Sequence, residues 1–206
     1  ARAENRPAAE PEENVDAARP ETVAPSGPSD PAVVRDPVDF GIETFASLAP
    51  VNRVQNGMAE FENVQILRLG QVSHEFDYDD EVTIRMVISF HERLEHAIVS
   101  LALKTLQGTA AVYCDSRLVG ELARVYDAGA RYVIDWALKL PLMHGNYVVG
   151  CAVACPPGIL GDDWIFVDAV PCAYQFRVRP RAAGMIAGLV ALPAAFRVTR
   201  IGVPKP

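Results

Sequence analysis

The sequence predicts an all-β sandwich of about eight antiparallel strands, preceded by a disordered linker. Three observations lead there. Apolar and polar residues alternate with period two through several segments; Gly, Pro, Asn and Asp clusters separate those segments; and composition changes abruptly near residue 38. Residues 1–38 hold seven of the sixteen prolines and no aromatic side chain, with eight acidic and four basic residues among alanines and small polar groups. Such a stretch buries too little apolar surface to offset the entropy of ordering, so it reads as linker. Residues 39–206 read as one sandwich domain, long enough for a sizeable core.

The elements follow in order. "FENVQILRL" at 61–69 is the first strand, and "EVTIRMVISF" at 81–90 alternates most cleanly. There Val82, Ile84, Met86, Ile88 and Phe90 share one face, with Thr83, Arg85, Val87 and Ser89 on the other. The stretch 97–116 reads as a hairpin turning at Gln107-Gly108. Residues 130–154 read as a second hairpin, turning at His144-Gly145-Asn146, residues expected to supply the positive φ that a tight connection requires. Its first strand sets Tyr132, Ile134, Trp136, Leu138 and Leu140 opposite Asp135 and Lys139; its return sets Tyr147, Val149, Cys151 and Val153 opposite a face of small residues. "WIFVDAVPCAYQFRVRP" at 164–180 places Val170, Cys172, Tyr174, Phe176 and Val178 against Ala173, Gln175 and Arg177. Residues 115–129 fit a helical turn or a long loop. The tail "GMIAGLVALPAAFRVTRIGV" is apolar on both faces, an edge that invites pairing with a second copy by strand exchange.

Composition narrows the function. Outside the linker 15 basic residues face 18 acidic ones, which leaves no electrostatic footprint for nucleic acid. The longest apolar stretch, 182–196, is shorter than a membrane span and contains glycines and a proline. Cys114, Cys151 and Cys172 fall in apolar runs, where a thiol acts as a small hydrophobe, and the CxxxC spacing of Cys151 and Cys155 has no second pair to make a zinc site. A reducing, cytoplasmic setting is expected. The sequence opens in low-complexity residues without an initiator methionine, so it is expected to be the C-terminal part of a longer chain.

No catalytic motif emerges: GxSxG, HExxH, GxxxxGK[ST] and a helix-opening GxGxxG are all missing. Asp79-Asp80-Glu81 and Asp162-Asp163 read as solvated loop acids rather than a catalytic pair or a calcium loop. His91, His96 and His144 read as loop or turn residues. His74 lies beside Phe76 and Tyr78, which read as cover for one end of the sandwich, with ligand stacking as the alternative. The candidate site is the sheet face opposite the core. Ser100, Ala102, Ala137, Ala152 and Ala173 make it shallow, and Arg85, Asp135, Gln175 and Arg177 stand among them. Small side chains with planar hydrogen-bonding groups suit a sugar chain, so Arg85, Ser100, Asp135, Gln175 and Arg177 are the expected carbohydrate contacts. The same pattern also fits an ordinary solvated face.

Taken in order, "NVQILRL", "EVTIRMVISF", "QGTAAVYCDSRLVG", "YVIDWALKLPLMHGNYVVGCAV", "DWIFVDAVPCAYQFRV" and "GLVALPAAF" resemble the C-terminal carbohydrate-binding domain of Wzt-type ATP-binding subunits of O-antigen polysaccharide ABC exporters, over about residues 55–200. The resemblance implies an immunoglobulin-like or jelly-roll sandwich that binds the exported polysaccharide, commonly through its non-reducing end, without catalysis. It implies a homodimer with exchanged C-terminal strands, a transmembrane permease as partner, and a place at the inner membrane's cytoplasmic side. No cofactor is expected in this domain; ATP and Mg belong to an upstream ATPase domain. Two departures stand out: Cys114-Asp115-Ser116 follows Tyr113 where the family tends to have Gly-x-Asn-Ser/Thr, and Phe196 replaces a common tryptophan. A dimerisation module without sugar affinity and a glycan-modifying enzyme are the competing classes.

Overall fold

A computed structural model describes residues 42–121, 124–158, 162–182, 184 and 186–191. The expected linker, residues 1–38, and most of the tail expected to exchange lie outside them. The described chain is one short helix, α1 (Ile42–Leu48), and twelve strands: β1 (Val54–Gln55), β2 (Ala59–Arg68), β3 (Gln71–Val72), β4 (Glu75–Phe76), β5 (Glu81–Phe90), β6 (Leu94–Glu95), β7 (Ile98–Thr105), β8 (Ala110–Asp115), β9 (Val125–Tyr126), β10 (Arg131–Lys139), β11 (Gly145–Cys155) and β12 (Ile165–Val178).

Two sheets form the sandwich. The first runs β1-β12-β11-β7-β8, the second β10-β5-β2-β3. All pairings are antiparallel except for a two-residue parallel contact of β4 with β12, and β6 pairs with β9 apart from both sheets. The inner faces meet in one core. Val64, Ile66, Ile84, Met86, Ile88 and Trp136 come from the second sheet; Leu101, Leu103, Tyr147, Val149, Val153, Tyr174 and Phe176 come from the first. Each buried side chain of this size contributes about 1.5–3 kcal/mol. β5 follows its expected alternation: Ile84, Met86, Ile88 and Phe90 are wholly buried, while Thr83, Arg85 and Ser89 are partly wet. Val87 is the exception, buried on the outer face between its neighbours Asn63 and Val133.

The β7–β8 hairpin turns at Gln107-Gly108 as expected, with Gly108 at φ 86 and its N–H donating to the Thr105 carbonyl at 2.9 Å. Phe76 is core, edge-to-face with Phe176 at 5.8 Å, and Tyr78 lies under the Arg181 guanidinium. Both act as cover.

The second expected hairpin is corrected. β10 pairs with β5 and β11 pairs with β7 and β12, so residues 140–144 carry the chain from one sheet to the other. Backbone bonds explain the crossing: Leu140 exchanges hydrogen bonds with Asp79 and Asp80, the Met143 N–H reaches the Leu189 carbonyl, and Leu140 and Leu142 are buried at the corner. His144 and Asn146 do not take positive φ.

The face assignment within β12 is also corrected. Tyr174 pairs with Val149 and Val170 with Cys151, so Pro171, Cys172 and Ala173 bulge opposite Gly150. A proline cannot donate to the ladder, and the bulge resets the alternation. Ala173 therefore turns into the core, and Cys172, expected there, is only partly buried. Of residues 115–129, those described, 115–121 and 124–129, form the end of β8, turns and β9, and no helix. The sequence reading also missed α1, which seats Phe45 and Ala49 on the core. Behind it, Arg53 grips the fully buried Asp168 through two hydrogen bonds of 2.9 and 2.6 Å, and the Phe61 N–H donates to the same carboxylate at 2.7 Å. This clamp ties the segment after α1 to β12 and β2.

Candidate functional site

The outer face of the first sheet carries a groove of about 410 Å³. Its floor is built from side chains too small to fill it: Ser100 and Ala102 on β7, Gly150 and Ala152 on β11, and Ala169 on β12. Cross-strand pairing sets them in rows, Ser100 beside Ala152 beside Ala169 and Ala102 beside Gly150. Gly150 is needed here. A Cβ at this position would come within 3.0 Å of the Pro171 carbonyl oxygen, which the bulge brings over the strand.

Two aromatic rings flank the floor. Tyr113 on β8 and Phe166 on β12 are 54% and 53% exposed, on opposite edges and offset along the strands, Tyr113 in the row of Ala102 and Gly150 and Phe166 in the row of Ile98 and Ala154. Trp164, just before β12, is also exposed. The loop after β8 is fixed by Asp115. Its buried carboxylate accepts from the Arg117 backbone N–H and guanidinium, the Leu118 N–H and the Tyr113 hydroxyl. The Arg117 guanidinium in turn lies over the Trp164 ring at 5.1 Å, linking the two loops that flank the groove. That bond to Arg117 holds the Asp115 carboxyl below the usual carboxylate range. Burial, with the Asp115 charge beside it, pushes the Tyr113 phenol up.

The five expected contact residues divide between two faces. Ser100, Gln175 and Arg177 lie on the face that carries the groove: Ser100 in its floor, Gln175 in the row of Lys104 and Val148, and Arg177 one row further, beside Asn146. Arg85 and Asp135 lie on the second sheet. There they pair directly across β5 and β10, bonded to each other at 2.7 and 2.6 Å. The expected single face is thus two faces of the sandwich, because alternation tells inside from outside but not one sheet from the other. Ala137 goes with the second sheet and Ala173 with the core.

Sequence reasoning overlooked Lys104, Phe166 and Trp164, and it did not place Tyr113 in the site. A signal existed: Tyr113 and Phe166 are large aromatics within strand runs, and they belong to the outer face once the bulges in β12 are counted. Among the described residues, the lining offers the Tyr113 and Phe166 ring faces, the Ser100 and Tyr113 hydroxyls and the Lys104 ammonium. Among the described residues no three His, Cys, Asp or Glu side chains converge to hold a metal ion. All four cysteines are free thiols, and burial drives the Cys151 thiol far above its ordinary range.

A family model described as the Wzt C-terminal domain matches residues 50–192. This chain belongs to the Wzt C-terminal domain family. Among solved structures, a crystal structure of the C-terminal domain of wzt superposes with a TM-score of 0.62 at 17% identity, covering 71% of this chain and 87% of that one. At that identity the likeness carries the sandwich and not a ligand. No curated protein matches the sequence. Within the Wzt C-terminal domain of this chain, the groove spans β7, β8, β11 and β12 of the first sheet. No helix among the described residues is long and apolar enough to cross a membrane.

Proposed function

We propose that this chain recognises polysaccharide for a Wzt-type ABC exporter, as the glycan-binding domain of its ATP-binding subunit, and that the groove on the first sheet holds the glycan. The observation that carries the reading is the flat floor of Ser100, Ala102, Gly150 and Ala152 between the exposed Tyr113 and Phe166 rings. Sugar rings present apolar C–H faces and rims of hydroxyls. Aromatic walls match the first, and hydroxyl and amide groups such as Ser100 and Gln175 match the second.

In this reading Ser100, Gln175 and Arg177 contact the O-antigen polysaccharide, probed at its non-reducing end, and no bond is made or broken. ATP and Mg act in an upstream domain, a transmembrane permease is the partner at the inner membrane's cytoplasmic face, and the chain pairs as a homodimer with exchanged C-terminal strands. Titrating the 206-residue chain with O-polysaccharide from the strain that encodes it, and from an unrelated strain, tests the proposal. Selective, saturable binding of the first is expected. A well-folded dimer that binds neither would turn the reading toward a dimerisation module.

A further inference from the structure

One residue of the groove is out of keeping with a neutral ligand. Among the described residues, Lys104 is the single charged side chain that lines it. Gly150 leaves the sheet open beneath it, and Nζ lies 3.4 Å from where a Cβ at that position would be, so the lysine lies down across the floor. Lys104 is partly buried there, and none of the ion pairs among the described residues includes it.

Its surroundings are rich in donors. Register places Lys104 beside Val148 and Val148 beside Gln175; the next row pairs Asn146 with Arg177. The acids nearby are already engaged. Glu75 faces Arg177 at 3.9 Å, and Asp115, at the far end of the floor, is held by Arg117. An ammonium drawn partly out of water loses hydration, and a neutral hydroxyl restores little of it, whereas an anion forms a short, charge-assisted bond. The chain's net charge of -7 gives no general attraction for an acidic ligand, so charge selection has to be local.

We propose that Lys104 is the anchor for a negatively charged group on the bound glycan, a sugar carboxylate or a phosphate ester, seated over Gly150. This rests on the glycan-binding reading above. The two sources share the same chemistry, an anion facing a lysine, and differ in what removes them.

The test is calorimetric titration of the 206-residue chain and its Lys104→Met and Lys104→Arg variants. The probe is the encoding strain's O-polysaccharide in three forms: native, carboxyl-reduced, and dephosphorylated with hydrofluoric acid. The native chain should bind native glycan, and Lys104→Met should weaken binding roughly tenfold to a hundredfold, with Lys104→Arg retaining most of it. One chemical treatment should weaken the native chain equally and leave Lys104→Met unchanged, which names carboxylate or phosphate. Lys104→Met binding native glycan as tightly as the unaltered chain, or neither treatment changing affinity, would overturn the Lys104 anchor while the groove reading stood. An unaltered chain that binds no form would overturn the groove reading and the anchor with it.

Discussion

The two outer faces of the sandwich use similar residue types to opposite ends. On the second sheet charges satisfy one another: Arg85 with Asp135, Arg131 with Glu62 at 2.5 Å, and Ser89 with Glu62. Between them Asn63, Gln65 and Val87 are buried. On the first sheet, among the described residues, the floor is bare of carboxylates, the aromatic rings stand exposed, and Lys104 is without an ion pair. An arginine in a sequence therefore says little about binding until its partner is known. A face whose donors are spent on its own acids is structural, and a face whose donors are left over is available to a ligand.

Substitutions sharpen this contrast, beginning with the clamp beneath the grooved face. Asp168→Ala leaves the half-buried Arg53 and the buried Phe61 N–H without their carboxylate acceptor and should lower stability by about 3 kcal/mol in urea unfolding, while the folded fraction still binds glycan. Next in size, Tyr113→Ala or Phe166→Ala should each weaken glycan binding by about 1–2 kcal/mol, roughly tenfold. As exposed positions they should shift stability by no more than about 0.5 kcal/mol. Loss of folding with no change in affinity would erase the distinction between core and face.

A smaller effect is expected with pH. The folded Asp115 carboxyl titrates below its ordinary value, so the unfolded chain binds more protons and stability rises with pH through that window. The contribution is complete above the ordinary carboxylate value of about 4 and disappears as pH falls through the folded one. Thermal melts of Asp115→Asn should accordingly show a shallower acid limb than the unaltered chain. The smallest effect belongs to the second sheet. Arg85→Ala should leave glycan affinity unchanged and lower stability by about 1 kcal/mol or less, since its pair with Asp135 is partly exposed.

Much of the fold was legible because side-chain alternation is set by the pleat itself. β5 could be read residue by residue, and the Gly108 turn could be placed from two residues. Legibility ended where backbone geometry departs from the simple period. The crossing at 140–144 is fixed by bonds to Asp79, Asp80 and Leu189, which lie tens of residues away, so its His-Gly-Asn step imitated a hairpin. The bulge at Pro171–Ala173 exchanged inside for outside within a single strand. The site suffered from both effects. Ser100, Gln175 and Arg177 fell on the grooved face, whereas Arg85 and Asp135 share its parity but belong to the other sheet. Lys104 could be recognised only once Gly150 was seen beside it.

The most direct test of the central claim is a backbone amide NMR titration of the 206-residue chain with the encoding strain's O-polysaccharide. The account predicts shift changes confined to the grooved face, at residues 100–104, 113, 150–152 and 166–171, with residues 63–65, 85–87 and 133–135 silent. Changes centred on Arg85 and Asp135, with the groove silent, would contradict it.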